Sequence, residues 1–111
     1  MKTIFHQNLT QEKWNTFPLL EQMGNIGSEV GRAIKWRSQG KEEKSQAALC
    51  RGLELFDLTV DDPKNRSRLK EVLRSREAFL DFFVGDNEYH STAEQWEKYF
   101  LAFAIAARTS R

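Results

Sequence analysis

The chain has little cysteine: Cys50 is the only one in 111 residues. One thiol makes neither an internal disulfide nor a cysteine-rich zinc site. Two prolines and six glycines are too few for the frequent turns of an all-β fold. No stretch approaches the roughly 18 apolar residues of a membrane span. The opening Met1-Lys2-Thr3-Ile4-Phe5-His6 lacks the apolar run of a signal peptide. A net charge of +1 supplies no global field toward nucleic acid or membrane. Neither His6 nor His90 has a glutamate three residues before it, which excludes the paired Glu-x-x-His motif of di-iron bundles. No serine or cysteine stands in a nucleophile motif. The expectation is a cytoplasmic protein without metal or cofactor.

What is present is bulk and helical period. Hydrophobic residues make up 40% and charged residues 30%, with eight Phe and three Trp. That is enough apolar volume for one core in a single domain over residues 1–111. Ile4 and Phe5 are expected to pin a short N-terminal arm, followed by a helical turn over Gln11 to Asn15 capped by Thr10. Leu19, Met23, Ile26, Val30, Ala33 and Ile34 recur at three- and four-residue steps. They predict a helix that starts at the N-cap Thr16, takes Pro18 in its first turn and stops at Gly40. Leu49, Cys50, Leu53, Phe56 and Val60 predict a second helix over about Lys41 to Thr59. Asp62-Pro63 reads as the N-cap and first position of a third, with Leu69, Val72, Leu73, Phe79, Leu80 and Phe83 inward and a stop at Gly85. Ser91 and Glu94 have capping-box spacing ahead of a fourth, with Trp96, Tyr99, Phe100, Phe103 and Ala107 inward. The predicted fold is all-α: an antiparallel up-and-down four-helix bundle with a short N-terminal arm.

Six features stand out. Arg76 projects into the middle of the third helix's apolar stripe, and Asp57 onto the edge of the second's. Unpaired, each costs several kcal/mol to desolvate, so an internal Asp57–Arg76 ion pair is expected, with Glu54 or Glu29 as further partners. Glu54-x-x-Asp57, with Glu42 and Glu43, also has the look of the carboxylate sets that hold Mg²⁺ in all-α nucleotide pyrophosphohydrolases. Lys64, Arg66, Arg68, Lys70 and Arg74 form a basic run suited to phosphate contact, diluted by Glu71, Glu77 and Asp81. The second and fourth helices show surplus apolar stripes, Ala47, Ala48, Leu55 and Leu58 on one and Leu101, Ala102 and Ile105 on the other. A bundle hides one stripe per helix, so these are expected to meet a second subunit. Gly24, Gly27 and Gly31 flank the first helix's stripe, where Trp96 or Phe100 would pack closely. The loop Asp86-Asn87-Glu88-Tyr89-His90 is rich in hydrogen-bonding groups and is read as a polar site or a well-capped turn.

Three stretches, Gly24-Asn25-Ile26-Gly27-Ser28-Glu29-Val30, Asp62-Pro63-Lys64-Asn65-Arg66 and Gly85-Asp86-Asn87-Glu88-Tyr89, together with Lys98-Tyr99-Phe100, resemble a family of small uncharacterised prokaryotic helical proteins. That resemblance implies no activity. The layout is more remotely similar to the four-helix-bundle proteins of ribosomal-RNA intervening sequences and to related ring-forming retroelement accessory proteins. This likeness implies oligomerisation and nucleic-acid contact over enzymatic work. The expected function is therefore non-enzymatic: a homo-oligomer that binds a protein or nucleic-acid partner and no membrane. The alternative is a metal-dependent nucleotide hydrolase using Glu54 and Asp57.

Overall fold

A computed structural model describes residues 9–109; the expected arm at Ile4 and Phe5 lies outside them. Within that range the chain is helical and has no strand. Five α-helices run α1 Gln11–Asn15, α2 Leu19–Ser38, α3 Glu42–Val60, α4 Leu69–Val84 and α5 Ala93–Thr109, with a 3₁₀ segment Pro63–Arg68 leading into α4. The central element is α2, which packs along α3 on one side and α5 on another; α4 packs on α3.

The helix ends follow from local hydrogen bonding. Thr10 caps α1, its Oγ1 accepting from the Lys13 N–H at 3.1 Å. Thr16 closes α1 instead of opening α2: its hydroxyl donates to the Lys13 carbonyl at 2.6 Å. The α2 N-cap is Pro18, whose carbonyl accepts from the Gln22 N–H. At its other end α2 closes as a Schellman motif. Gly40 takes a φ of +72°, its N–H donates to Arg37 O, and the Lys41 N–H reaches back to Trp36 O at 2.9 Å. The capping box before α5 is one residue later than expected. Thr92 and Gln95 exchange bonds, Thr92 N–H to Gln95 Oε1 at 3.0 Å and Gln95 N–H to Thr92 Oγ1 at 3.1 Å.

The core gathers Met23, Ile26 and Val30 of α2, Leu49, Leu55 and Phe56 of α3, Val72 and Phe79 of α4, and Trp96 and Phe100 of α5, with Trp14 of α1. Phe79 sits among the rings: 5.8 Å from Phe56 and 6.1 Å from Trp96 between centroids. The buried face of α3 is rotated from the expected stripe. Ser45, Ala48, Leu49, Gly52, Leu55, Phe56 and Thr59 are buried, while Cys50 is exposed. The helix is covered from several sides at once, by α2, by α4 and by α1. That consumes the surplus stripe a simple bundle would leave outside.

The least expected feature is a buried polar cluster where α1, α2, α3 and the 3₁₀ segment meet. Gln22, Thr59, Asp62 and Asn65 are all buried. The Gln22 amide donates to Trp14 O at 3.0 Å and to Asp62 Oδ2 at 2.8 Å. Its Oε1 accepts from Asn65 Nδ2 at 2.8 Å, and that amide also donates to Thr59 O. The Trp14 indole N–H donates to Thr59 Oγ1 at 3.0 Å, and Thr59 in turn donates to Leu55 O. Lys64 closes the cluster, its ammonium on the Asp62 carboxylate and on Asn15 O. Burial pushes the Asp62 carboxyl up, but the Lys64 ammonium, the Gln22 amide and the Lys64 N–H together outweigh it and hold it below its ordinary 3.8.

Two outcomes are expected. A carboxylate held below its ordinary pKa contributes stability that is complete above about pH 5 and is lost as pH falls through the lowered value. Urea unfolding of Asp62→Asn should therefore be weaker than wild type at neutral pH and should show a shallower decline on acidification; an acid limb identical to wild type would contradict the assignment. The glycines of α2 should split. A Cβ on Gly27 would lie 2.6 Å from Phe100 Cβ, whereas Gly24 and Gly31 have nothing within 4 Å. Gly27→Ala should cost about 1–3 kcal/mol by overpacking, and Gly24→Ala and Gly31→Ala should each gain about 0.5–1 kcal/mol from helix propensity, read by urea unfolding at a protein concentration low enough to keep the chain monomeric.

Candidate functional site

Asp57 and Arg76 meet across the α3–α4 seam, Arg76 Nε donating to Asp57 Oδ1 at 2.9 Å. Their side chains are 38% and 31% exposed, so this is a seam at the surface and not an internal pair. Helical projection puts Arg76 on the apolar stripe, but a guanidinium on a long aliphatic stem carries its charge out to the edge of that stripe. Glu29 belongs elsewhere. It is buried on the α2–α3 seam, where its two carboxylate oxygens accept from Arg32 Nη1 and Arg51 Nε, both at 2.9 Å. Glu54 is half-buried on α3. Glu42 and Glu43 begin the same helix, three turns earlier, about 16–18 Å away at helical rise. Among the described residues no group of three or more His, Cys, Asp or Glu is placed to hold a metal ion.

The five basic residues do not form one surface. Lys64 is turned onto Asp62 and Asn15, and Arg68 is paired with Glu71 at 2.6 Å. Arg66, Lys70 and Arg74 are exposed, and Lys70 and Arg74 share their hollow with Glu71 and Glu77. The loop after α4 spends its polar groups on its own shape. Asp81 accepts the N–H groups of Glu88 at 2.8 Å and Tyr89 at 3.0 Å. Asn87, at a φ of +53°, exchanges bonds with Ser91 through both side-chain atoms.

That loop borders an open groove of about 380 Å³ between α4 and α5, lined by Ser75, Ala78, Tyr89, Trp96 and Tyr99 with Glu71 and Arg74 at its edge. The Ser75 and Tyr99 hydroxyls are 2.8 Å apart. Burial pushes the Tyr99 phenol above its usual pKa, the Glu71 carboxylate adds to this, and the Ser75 hydrogen bond opposes it. The buried Trp96 indole N–H has no hydrogen-bond partner among the described residues. The Tyr99 hydroxyl also donates to Glu71 Oε1 at 3.4 Å.

Of the residues expected at an oligomer surface, Ala48 and Leu55 are buried and Leu58 packs on the core. Leu101 and Ile105 are exposed, at 54% and 49%. They lie on a stretch of α5, Tyr99 to Ala107, that contains no charge and in which only Phe100 is buried. An open groove of about 260 Å³ adjoins them, lined by Gly24, Gly27, Gly31, Ile34, Leu101 and Ala104 among others.

Sequence reading missed a second surface. At the α2–α3 turn the ammoniums of Lys35, Lys41 and Lys44 stand 5.5, 5.0 and 4.7 Å from the centroid of the Trp36 ring. The signal was there in Lys35-Trp36-Arg37, Gly40-Lys41 and Lys44. It needed the fold of the turn to bring both halves to one indole.

The chain matches no protein-family model, and no curated protein or solved structure is significantly similar to it.

A half-exposed ion pair is screened by water. A double-mutant cycle on Asp57→Ala and Arg76→Ala is expected to give a coupling of about 0.5–1 kcal/mol that shrinks in high salt. A coupling of several kcal/mol, insensitive to salt, would mark an internal pair instead.

Proposed function

We propose that this protein works by association and not by catalysis: a cytoplasmic homo-oligomer whose assembled form holds a protein or nucleic-acid partner. In this reading the four long helices make an antiparallel up-and-down bundle, as the remote layout resemblance to the intervening-sequence proteins implies. One observation carries the proposal. The second half of α5 presents Leu101 and Ile105 to solvent on an uncharged stretch beside a glycine-lined groove.

The physical argument is the cost of that surface in water. Apolar area gains about 25 cal/mol per Å² on burial, and contiguous exposed patches of this kind mark contact sites. Gly24 and Gly31 project no side chain into the groove, so a helix from a second copy can approach α2 closely there. A face of this kind is self-complementary across a two-fold axis: the α5 ridge of each copy fills the groove of the other.

Size-exclusion chromatography with light scattering should give a multiple of 13.0 kDa for the wild-type chain. Leu101→Glu with Ile105→Glu should give the monomer with unchanged helical circular dichroism, because both side chains are already exposed. A wild-type monomer at high micromolar concentration would reject the proposal.

A further inference from the structure

At the α2–α3 turn one indole collects three cations, and the fold makes this happen in a specific way. The Schellman closure of α2 folds Lys41 back so that its N–H bonds Trp36 O. Its side chain then follows its backbone to the Trp36 ring. Lys44 lies one turn into α3, next to Ser45, whose buried hydroxyl donates to Ala33 O and holds this end of α3 onto α2. Lys35 comes from α2 itself. Glu42 and Glu43 lie on another side of α3, where they line a shallow hollow with Gln46, Ala47 and Cys50. Arg37 is turned away as well, its guanidinium over the Phe82 and Phe83 rings.

None of the three ammoniums forms an ion pair among the described residues, and all three lysines are exposed. Trp36 is half-buried and stands apart from the core cluster. A cation–π contact at an exposed site contributes only about 0.5–1 kcal/mol, and three like charges around one ring repel one another. Turn stability alone does not account for the convergence, since the glycine and its backbone bonds already close the turn. Ammoniums that lie over an indole and form no ion pair among the described residues can be drawn off by a single-stranded nucleic acid: the phosphates take the ammoniums, and a base stacks on the ring in their place. Duplex bases keep their faces covered. A membrane surface would need apolar residues beside the tryptophan, yet the turn around it, Ser38, Gln39, Gly40, Lys41 and Glu42, is exposed and without an apolar side chain.

We propose that Trp36 with Lys35, Lys41 and Lys44 forms a contact site for single-stranded nucleic acid, the indole stacking one base and the lysines holding its flanking phosphates. The site lies within one chain and does not depend on the association face of α5.

Fluorescence anisotropy of a short labelled oligothymidylate, and of its RNA counterpart, tests it on the full chain at low salt. Trp36→Ala should weaken binding about ten-fold or more, and Trp36→Phe should retain most of it. Lys35→Gln, Lys41→Gln and Lys44→Gln together should weaken it further and reduce the log–log salt slope by about 2. Arg66→Gln with Lys70→Gln and Arg74→Gln should bind as wild type does, and so should Leu101→Glu with Ile105→Glu. Circular dichroism of each variant confirms that it is folded, and Trp36→Phe controls for the packing that the half-buried Trp36 contributes. No anisotropy change with wild type, equal binding by Trp36→Ala, dependence on Arg66, Lys70 and Arg74, or Trp36-dependent capture by anionic vesicles without oligonucleotide binding would each overturn the proposal.

Discussion

The arrangement of this protein depends on the hydrogen bonds of one buried amide. Gln22 sits in the first turns of α2 with no contact to water, and its three bonds reach Trp14 of α1, Asp62 at the end of α3 and Asn65 of the 3₁₀ segment. A buried polar group without partners costs about 1–3 kcal/mol. The cluster therefore tolerates very few relative positions of these four elements. Hydrophobic contacts leave neighbouring helices free to slide; this lattice does not. It also explains why the chain enters α4 through a 3₁₀ segment instead of a continuous helix. Asn65 within that segment is turned inward, with one amide nitrogen serving both Gln22 and Thr59.

Once that corner is set, the roles of the faces follow. The helix α3 is covered by α2, α4 and α1, so its second stripe joins the core. Glu29 and Arg51 close the α2–α3 seam, and Asp57 and Arg76 close the α3–α4 seam. The two ionic contacts lie on different seams and serve different helix pairs. On α2 the glycines divide the labour: Gly27 admits Phe100 and lets α5 come close, while Gly24 and Gly31 stay open beside it. Large apolar side chains left to solvent are Leu101 and Ile105 on α5, together with Leu73 and Val84 on α4 and Tyr89 in the loop after it.

Two surfaces of opposite character result. One is mainly apolar and runs along α5 beside α2, with Glu97 at the groove. The other is cationic and aromatic, at the turn where α2 passes into α3. Both draw on α2, with Gly24 to Ile34 lining the first and Lys35 and Trp36 at the second, but their chemistry differs. The groove between α4 and α5 is a third hollow, but its hydroxyls already bond one another, and the loop at its edge is held by Asp81.

Period and punctuation made the helices legible in the sequence. The apolar spacing of Leu19 to Ile34, the Asp62-Pro63 restart and Gly40 and Gly85 as stops depend on neighbours within a turn or two, and local sequence carries that information. The same holds for the carboxylate and guanidinium of Asp57 and Arg76, whose positions on their helices follow from counting residues. Tertiary structure decided what counting could not. Which side of α3 is buried depends on how many helices surround it, so Cys50 went to solvent and Leu55 to the core. Capping is local, yet Ser91 and Thr92 compete for one cap, and the side-chain geometry chose Thr92 with Gln95. The Gln22 lattice joins residues about forty positions apart, and the Trp36 cluster needs the turn folded before its lysines converge. Sequence by itself determined where this chain coils; only three-dimensional packing decided which polar groups would be enclosed together and which faces would be left for a partner, because burial is a property of neighbours that are distant along the chain.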